Sequence, residues 1–204
     1  MNKKDQILSV YIIIFFLGLL WSGINPRDQF TWFLEVVPAL VVFVILAVTF
    51  KKFRFSNFSY FLILLHAFIL MIGGHTTYAE VPLFNWLRDT FDLARNYYDR
   101  VGHLAQGFVP ALVLREIVVR KNIINGRKWQ AAFIIMAVLG GSAFYEFFEW
   151  WMALASGEAA TAFLGTQGDV WDTQWDMFMC FIGSGIALFL LSKFQDRRLR
   201  SLES

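Results

Sequence analysis

Cysteine is almost absent from this chain, and the single Cys180 excludes an intramolecular disulfide and thiolate metal sites of the usual spacing. Its place inside an apolar stretch assigns it to packing. Charge is scarce as well: 17% of the 204 residues are Asp, Glu, Lys or Arg and 57% are hydrophobic, too apolar a balance for a water-soluble domain of this size. No His-Glu-x-x-His or comparable metal signature occurs among the three histidines, and no internal repeat is evident. Proline is rare, but Pro38 and Pro110 fall inside apolar stretches, where each removes a backbone donor and should bend its helix.

What the chain has in abundance is long hydrophobic runs. Six cover roughly residues 7–24, 30–50, 58–74, 103–119, 131–152 and 174–192. At ~1.5 Å per residue each reaches the ~30 Å thickness of a bilayer's hydrocarbon core. The expected fold is therefore an all-α membrane protein with six transmembrane helices, residues 1–204 forming one polytopic domain with no soluble domain left over. The first run follows Lys3 and Lys4 but ends in Trp21-Ser22-Gly23-Ile24-Asn25-Pro26, without a small-x-small cleavage site, and reads as a retained anchor. Membrane lipids are the implied partners; nothing points to nucleic acid.

Orientation follows from the basic residues. Fourteen of the eighteen Lys and Arg lie at the N-terminus, the second and fourth connections and the tail, which predicts both termini in the cytoplasm. The opposite side keeps Arg27, Arg88, Arg95 and Arg100 with twelve of the sixteen acids. Seven of the eight tryptophans mark that outer boundary, and only Trp129 marks the inner one.

Short connections predict that consecutive spans are antiparallel neighbours. The third connection, residues 75–102, is longer. Its Phe84, Leu87, Phe91, Ala94 and Tyr98 recur at helical spacing, with Arg88, Asp89, Asp92 and Arg95 opposite, which predicts an amphipathic helix on the outer membrane surface. Gly140-Gly141-Ser142-Ala143 and Gly183-Ser184-Gly185 predict close approach of the fifth and sixth spans.

The candidate site residues are the ionisable groups at outer helix ends. Asp99, His103 and Gln106 share one stripe of the fourth span. Asp99 there is either a helix cap or the partner of His103, orienting it or sharing an ion with it. Glu146 and Glu149 share a face among aromatic residues, where an unpaired carboxylate costs a few kcal/mol unless it meets the aqueous boundary. Asp169, Asp172 and Asp176 fall on one face as the last span enters the membrane. Capping accounts for Asp169 and at most Asp172, whereas Asp176 needs a partner. His75 follows Gly73-Gly74 at the outer end of the third span, Glu35 should face inward, and His66 reads as a packing histidine. Asp28, Asp89, Asp92 and Glu158 read as solvated surface, and Glu80 fits either class. As candidates, Asp99, His103 and Arg100 would act catalytically, and His75, Glu146, Glu149, Asp172 and Asp176 would bind a divalent cation; histidine and carboxylates without thiolates suit zinc, manganese, magnesium or calcium. Mutual repulsion among the acids requires a bound cation, raised carboxylate pKa values or a cationic substrate.

The segments Gly73-Gly74-His75-Thr76-Thr77-Tyr78-Ala79, Tyr98-Asp99-Arg100-Val101-Gly102-His103, Tyr145-Glu146-Phe147-Phe148-Glu149-Trp150 and Gly168-Asp169-Val170-Trp171-Asp172 resemble the YjdF family of bacterial inner-membrane proteins. The resemblance spans essentially the whole chain and implies an inner-membrane address rather than an activity. A looser similarity links the last three spans to VanZ-like proteins, associated with glycopeptide tolerance. Asp99, His103, Glu149, Asp172 and Gly183 can be laid on that pattern, but Asp176 stands where it has Asn.

Three functions fit these residues. One is a metal-assisted enzyme acting on a lipid or lipid-linked substrate at the outer leaflet, with Arg100 and the ion countering the acidic field at a phosphate headgroup. The second is a small cation- or proton-coupled transporter, which would need a polar path through the inner halves of the helices. The third is a non-catalytic envelope assembly or stress factor.

Overall fold

The computed structural model describes residues 3–156, 164 and 166–203; Glu158 lies outside them. The described residues are helical throughout, with no strand: α1 (Lys3–Gly23), α2 (Gln29–Thr49), α3 (Asn57–Thr76), a 3₁₀ turn (Tyr78–Glu80), α4 (Pro82–Phe91), α5 (Tyr98–Arg120), α6 (Arg127–Ser156) and α7 (Asp172–Glu203). All but α4 and the 3₁₀ turn are long and apolar enough to cross a membrane, giving six candidate spans. Helices α5, α6 and α7 run beyond the apolar runs that announce them. The extra turns of α5 and α7 carry charges such as Asp99, Arg100, Asp172 and Asp196 that are paired within the bundle, and hydropathy stops at such residues although the backbone does not; the extra turn of α6 begins with the exposed Arg127.

The bundle is organised around α3 and α5. Helices α1 and α2 pack side by side on α3, α6 and α7 pack on α5 and on each other, and α3 meets α5 to join the two halves. Of the consecutive spans joined by short connections, α2–α3 and α5–α6 pack against each other, and α1 and α2 touch through Trp32 Nε1 donating to Ser22 Oγ (3.1 Å) and through rings such as Phe15 and Phe43, stacked with centroids 5.2 Å apart. One apolar core, including Leu112, Ile134, Val138 and Cys180, fills the α5–α6–α7 half. Another, including Phe15, Val36, Ala67 and Met71, fills the α1–α2–α3 half. Many large apolar side chains, among them Val44, Val48 and Phe189, face outward, as lipid permits and water would not.

The closest helix contact is α5 on α7. A Cβ on Gly107 would overlap the Cys180 carbonyl, and one on Gly183 would overlap the Leu104 carbonyl. Of the small residues expected to bring α6 and α7 together, Gly140, Gly141 and Gly185 have open space where a Cβ would stand. The glycine that matters faces α5, because small residues allow close approach only where a backbone lies opposite.

At the basic end, the buried Glu116 carboxylate accepts from the Ser56 amide (2.7 Å), the Ser56 and Ser59 hydroxyls (2.7 and 2.6 Å) and Arg120 (2.8 Å). Arg115 reaches across to Gln195 (2.9 Å) and Asp196 (2.5 Å) on α7. These bonds fasten α3, α5 and α7 to one another.

The third connection differs from one continuous amphipathic helix. Asp92 adopts the left-handed conformation (φ 51°) and ends α4, so Ala94 and Tyr98 leave its apolar face. Tyr98 instead opens α5 and packs between Tyr78 and Phe84, with centroids 5.4 and 5.3 Å away. Leu83, Trp86 and Phe91 stay exposed on α4.

Two outcomes follow. Gly183→Ala should lower the thermal midpoint of the detergent-purified protein by several degrees or prevent folding, whereas Gly141→Ala should be neutral or slightly stabilising; equal effects would remove the α5–α7 contact from the account. The second concerns Asp28, whose carboxylate caps α2 by accepting from the Thr31 amide at 2.6 Å, a bond that holds its pKa below the usual carboxylate value. A depressed folded pKa stabilises above the unfolded value and loses that contribution as pH falls through the folded one. Wild type should therefore lose stability relative to Asp28→Asn below about pH 4, by about 1 kcal/mol at most. Parallel melting curves from pH 7 to 3 check this.

Candidate functional site

The first turns of α5 carry an unusual density of charge because neighbouring segments supply the partners. Asp99 lies in the first turn, yet it does not cap the helix. Tyr97 occupies the cap position without a side-chain bond, and Asn96 Oδ1 takes the Tyr98 amide (3.1 Å). Asp99 is left free to face His103 Nε2 at 3.4 Å and the guanidiniums of Arg95 and Arg100 at 3.6 Å each. The cap alternative therefore belongs to Asn96.

Arg95 and Arg100 bind the acids of α7. Asp172 Oδ1 accepts from Arg95 Nη1 and from Arg100 Nη2, both at 2.6 Å. Asp176 accepts from Arg100 Nη1, and Asp169 lies 3.2 Å from Arg100 and 3.5 Å from Arg95. Asp172 and Asp176 on the first turns of α7, and Asp169 in the turn before it, thus all face the arginines at the start of α5. Asp169 also accepts the Trp171 amide at 2.9 Å, a bond in the turn just before α7 where a helix cap is expected.

Arg95 is buried in this network rather than exposed on the polar face of α4. The left-handed Asp92 redirects the chain, and residues 95–96 are then bound to the segment before α7. Arg95 donates to the Thr166 carbonyl (3.2 Å), and the Asn96 and Gln167 amides exchange bonds of 3.0 and 2.9 Å through Gln167's side chain. Sequence reasoning missed Arg95, Asn96 and Gln167. One signal for Arg95 existed: with four arginines among twelve outer acids, an outer arginine has acidic partners wherever the chain brings it near them.

His103 is the hub. Its Nδ1 lies 2.9 Å from Gln106 Oε1, while Nε2 faces Asp99 and, at 3.6 Å, Asp176. Ligand atoms of Asp99, His103 and Asp176 lie within 4.8 Å of one another, as do those of His103, Glu146 and Glu149. Glu146 is buried, and its Oε1 has no hydrogen-bond partner. Beside these groups is a polar cavity of about 90 Å³, lined among others by Glu35, Tyr78, Asp99, His103, Tyr145 and Glu149. Glu35, inward-facing as its depth required, is 2% exposed. Tyr78 is delivered by Thr77, a β-branched residue at φ 60°, and lies so close to Gly73 that a Cβ there would overlap its ring. Burial, and secondarily the Glu35 carboxylate, pushes the Tyr78 phenol well above its usual pKa, keeping it a hydrogen-bond donor.

Of the residues proposed from sequence, Asp99, Arg100, His103, Glu146, Glu149, Asp172 and Asp176 converge. His75 belongs to neither group; its Nδ1 binds the Ser22 carbonyl (3.0 Å) and its ring lies over Trp21 (4.9 Å). Asp172 converges but also lies outside both groups, its Oδ1 shared by two guanidiniums. His66 lines the polar cavity at mid-span.

Six apolar helices enclosing buried ionisable groups define a multi-pass integral membrane protein. The chain belongs to the DUF2238 family, described as predicted membrane proteins, which matches residues 7–197. It is 45% identical over 197 residues to the inner membrane protein YjdF of Escherichia coli strain K12, covering 97% of this chain and 94% of that protein. No solved structure matches the chain.

The shared acceptor gives a sharp test. Asp172→Asn leaves two buried guanidiniums short of a carboxylate and should destabilise the protein by about 3–5 kcal/mol. The exposed Asp89, paired only with the adjacent Arg88, should tolerate Asn within about 0.5 kcal/mol. Melting of the two variants in one detergent decides; an Asp172→Asn protein as stable as wild type would show that the network is dispensable.

Proposed function

We propose that this protein is a bacterial inner-membrane enzyme with both termini cytoplasmic, using a buried divalent-cation site to act on a lipid or lipid-linked substrate at the outer leaflet. The positive-inside distribution of Lys and Arg supports the orientation, with α4 lying on the outer surface through Leu83, Trp86 and Phe91. One observation carries the site: His103, Glu146 and Glu149 offer ligand atoms within 4.8 Å of one another, and Glu146 Oε1 is buried without a partner.

The chemistry follows from charge. Glu35, Asp99, Glu146, Glu149, Asp169, Asp172 and Asp176 are seven carboxylates facing Arg95, Arg100 and His103. The arginines are engaged with the α7 acids, so the α6 acids and His103 are the groups left to take a cation. When Gln106 Oε1 accepts from Nδ1–H, the Nε2 lone pair of His103 points among carboxylate oxygens, an arrangement that a cation relieves. The bound ion would polarise a substrate oxygen or activate water. Asp99, whose carboxylate lies 3.4 Å from His103 Nε2, would stand beside the ion as a base for the proton of an activated water. Arg100 holds the α7 acids in place and is a positioning residue.

A transport reading needs polar groups continuing toward the basic end. Beyond His66 the neighbouring cavity is lined by side chains such as Phe15, Val42, Phe43 and Leu64, which offer a cation no ligand.

Metal analysis of the detergent-purified protein tests the proposal. Wild type should carry about one divalent ion per chain, as isolated or after adding back zinc, manganese, magnesium or calcium. Glu146→Gln and Glu149→Gln should lose it while remaining folded, and Asp172→Asn should retain it in whatever fraction folds. Wild-type protein that takes up none of these ions would overturn the reading.

A further inference from the structure

We propose that the cleft between α1 and α2 seats a single long hydrocarbon chain of a lipid whose polar end occupies the acid–histidine cavity, an inference that rests on the lipid-directed reading above. The cleft holds about 410 Å³, within the roughly 300–1,000 Å³ of small-molecule pockets. It exists because α1 and α2 both pack on α3 rather than tightly on each other, leaving α3 as its floor. Small residues, Ala39 of α2 and Ala67 of α3, line it, and Pro110 of α5 also contributes.

Its connection to the polar cavity sets it apart from an ordinary lipid-facing groove. Pro38, His66 and Leu70 line both spaces, so the two meet at mid-bundle. One extended amphiphile can place its polar end by Glu35 and His103 and its chain along α2. From Pro38 to Phe50, both lining the cleft, twelve residues of α2 span about 18 Å. That is more than half the ~30 Å hydrocarbon core, so a chain entering from the acidic end passes the bilayer midplane. Left unfilled, the walls would forfeit dispersion contacts that a chain restores. A hydroxyl suits the polar end as a probe, because it donates to carboxylates and adds no negative charge.

The experiment uses the full chain in lipid nanodiscs with hexadecanol bearing a terminal photoactivatable diazirine, the labelled positions being mapped by peptide mass spectrometry. The diazirine at the chain terminus should label residues at the far end of the cleft, such as Leu46, Ala47 and Tyr60, over the outward-facing Val44 and Val48. Unlabelled hexadecanol should displace it about tenfold more effectively than octanol. Val42→Trp, which fills the cleft, should abolish it; should that variant not fold, the wild-type competition decides alone. Label equal on Val44 and Val48, or competition indifferent to chain length, overturns the chain seat. Metal content measured on the same samples keeps the two readings apart: chain-dependent labelling without bound metal overturns the cation site alone, and bound metal without chain dependence overturns this inference alone.

Discussion

A carboxylate shared by two guanidiniums, Asp172 between Arg95 and Arg100, is the interaction on which the outer half of the bundle depends. Each charge would cost several kcal/mol to bury alone. Together they make burial tolerable because each hydrogen bond is charge-assisted and the pairs are nearly dry. The same bonds fix geometry. Arg95 belongs to the segment before α5, Arg100 to α5 and Asp172 to the first turn of α7, so satisfying one acceptor sets where three pieces of chain meet. Asp99 and His103 ride on that arrangement.

The bundle is thereby fastened at two levels by different means. At the basic end, Glu116 and Arg115 join α3, α5 and α7 with satisfied hydrogen bonds and ion pairs. Between the ends, Gly107 and Gly183 let α5 and α7 touch backbone to backbone. Helices α1 and α2 are joined by Trp32 Nε1 donating to Ser22 Oγ (3.1 Å) and by ring contacts such as Phe15 on Phe43, and the apolar cleft opens between them. The tightly bonded region and the open cleft therefore fall in different halves of the molecule.

The spans were legible in the sequence because lipid imposes length and apolarity directly on each helix. The inward turn of Glu35 and the need of Asp176 for a partner were legible for the same reason, since a carboxylate at that depth has few tolerable surroundings. The burial of Arg95 was not, because a left-handed residue, Asp92, interrupts the periodicity that places Arg95 on the polar face of the connection. The α5–α7 seam was illegible because a glycine says that an approach is possible without saying from which helix. His75 looked like Glu149 in composition and depth, but the Ser22 carbonyl that engages it is backbone, which no residue pattern reveals.

Once the pairs are assigned, the charge problem becomes local rather than global. The α7 acids have the arginines, and Asp99 lies near both guanidiniums and His103. Among the described residues, Glu146 and Glu149 have no such cation beyond His103, although their ligand atoms lie within 4.8 Å. At that separation and an effective dielectric of about 20, two ionised carboxylates repel by roughly 3.5 kcal/mol, comparable to a sizeable share of a domain's net stability. A bundle already carrying buried arginines to neutralise one set of acids has the means to neutralise another with a side chain. With Glu146 and Glu149 left to a single histidine, beside a cavity that leads to the apolar cleft, these two carboxylates are where the proposed cation would complete the charge.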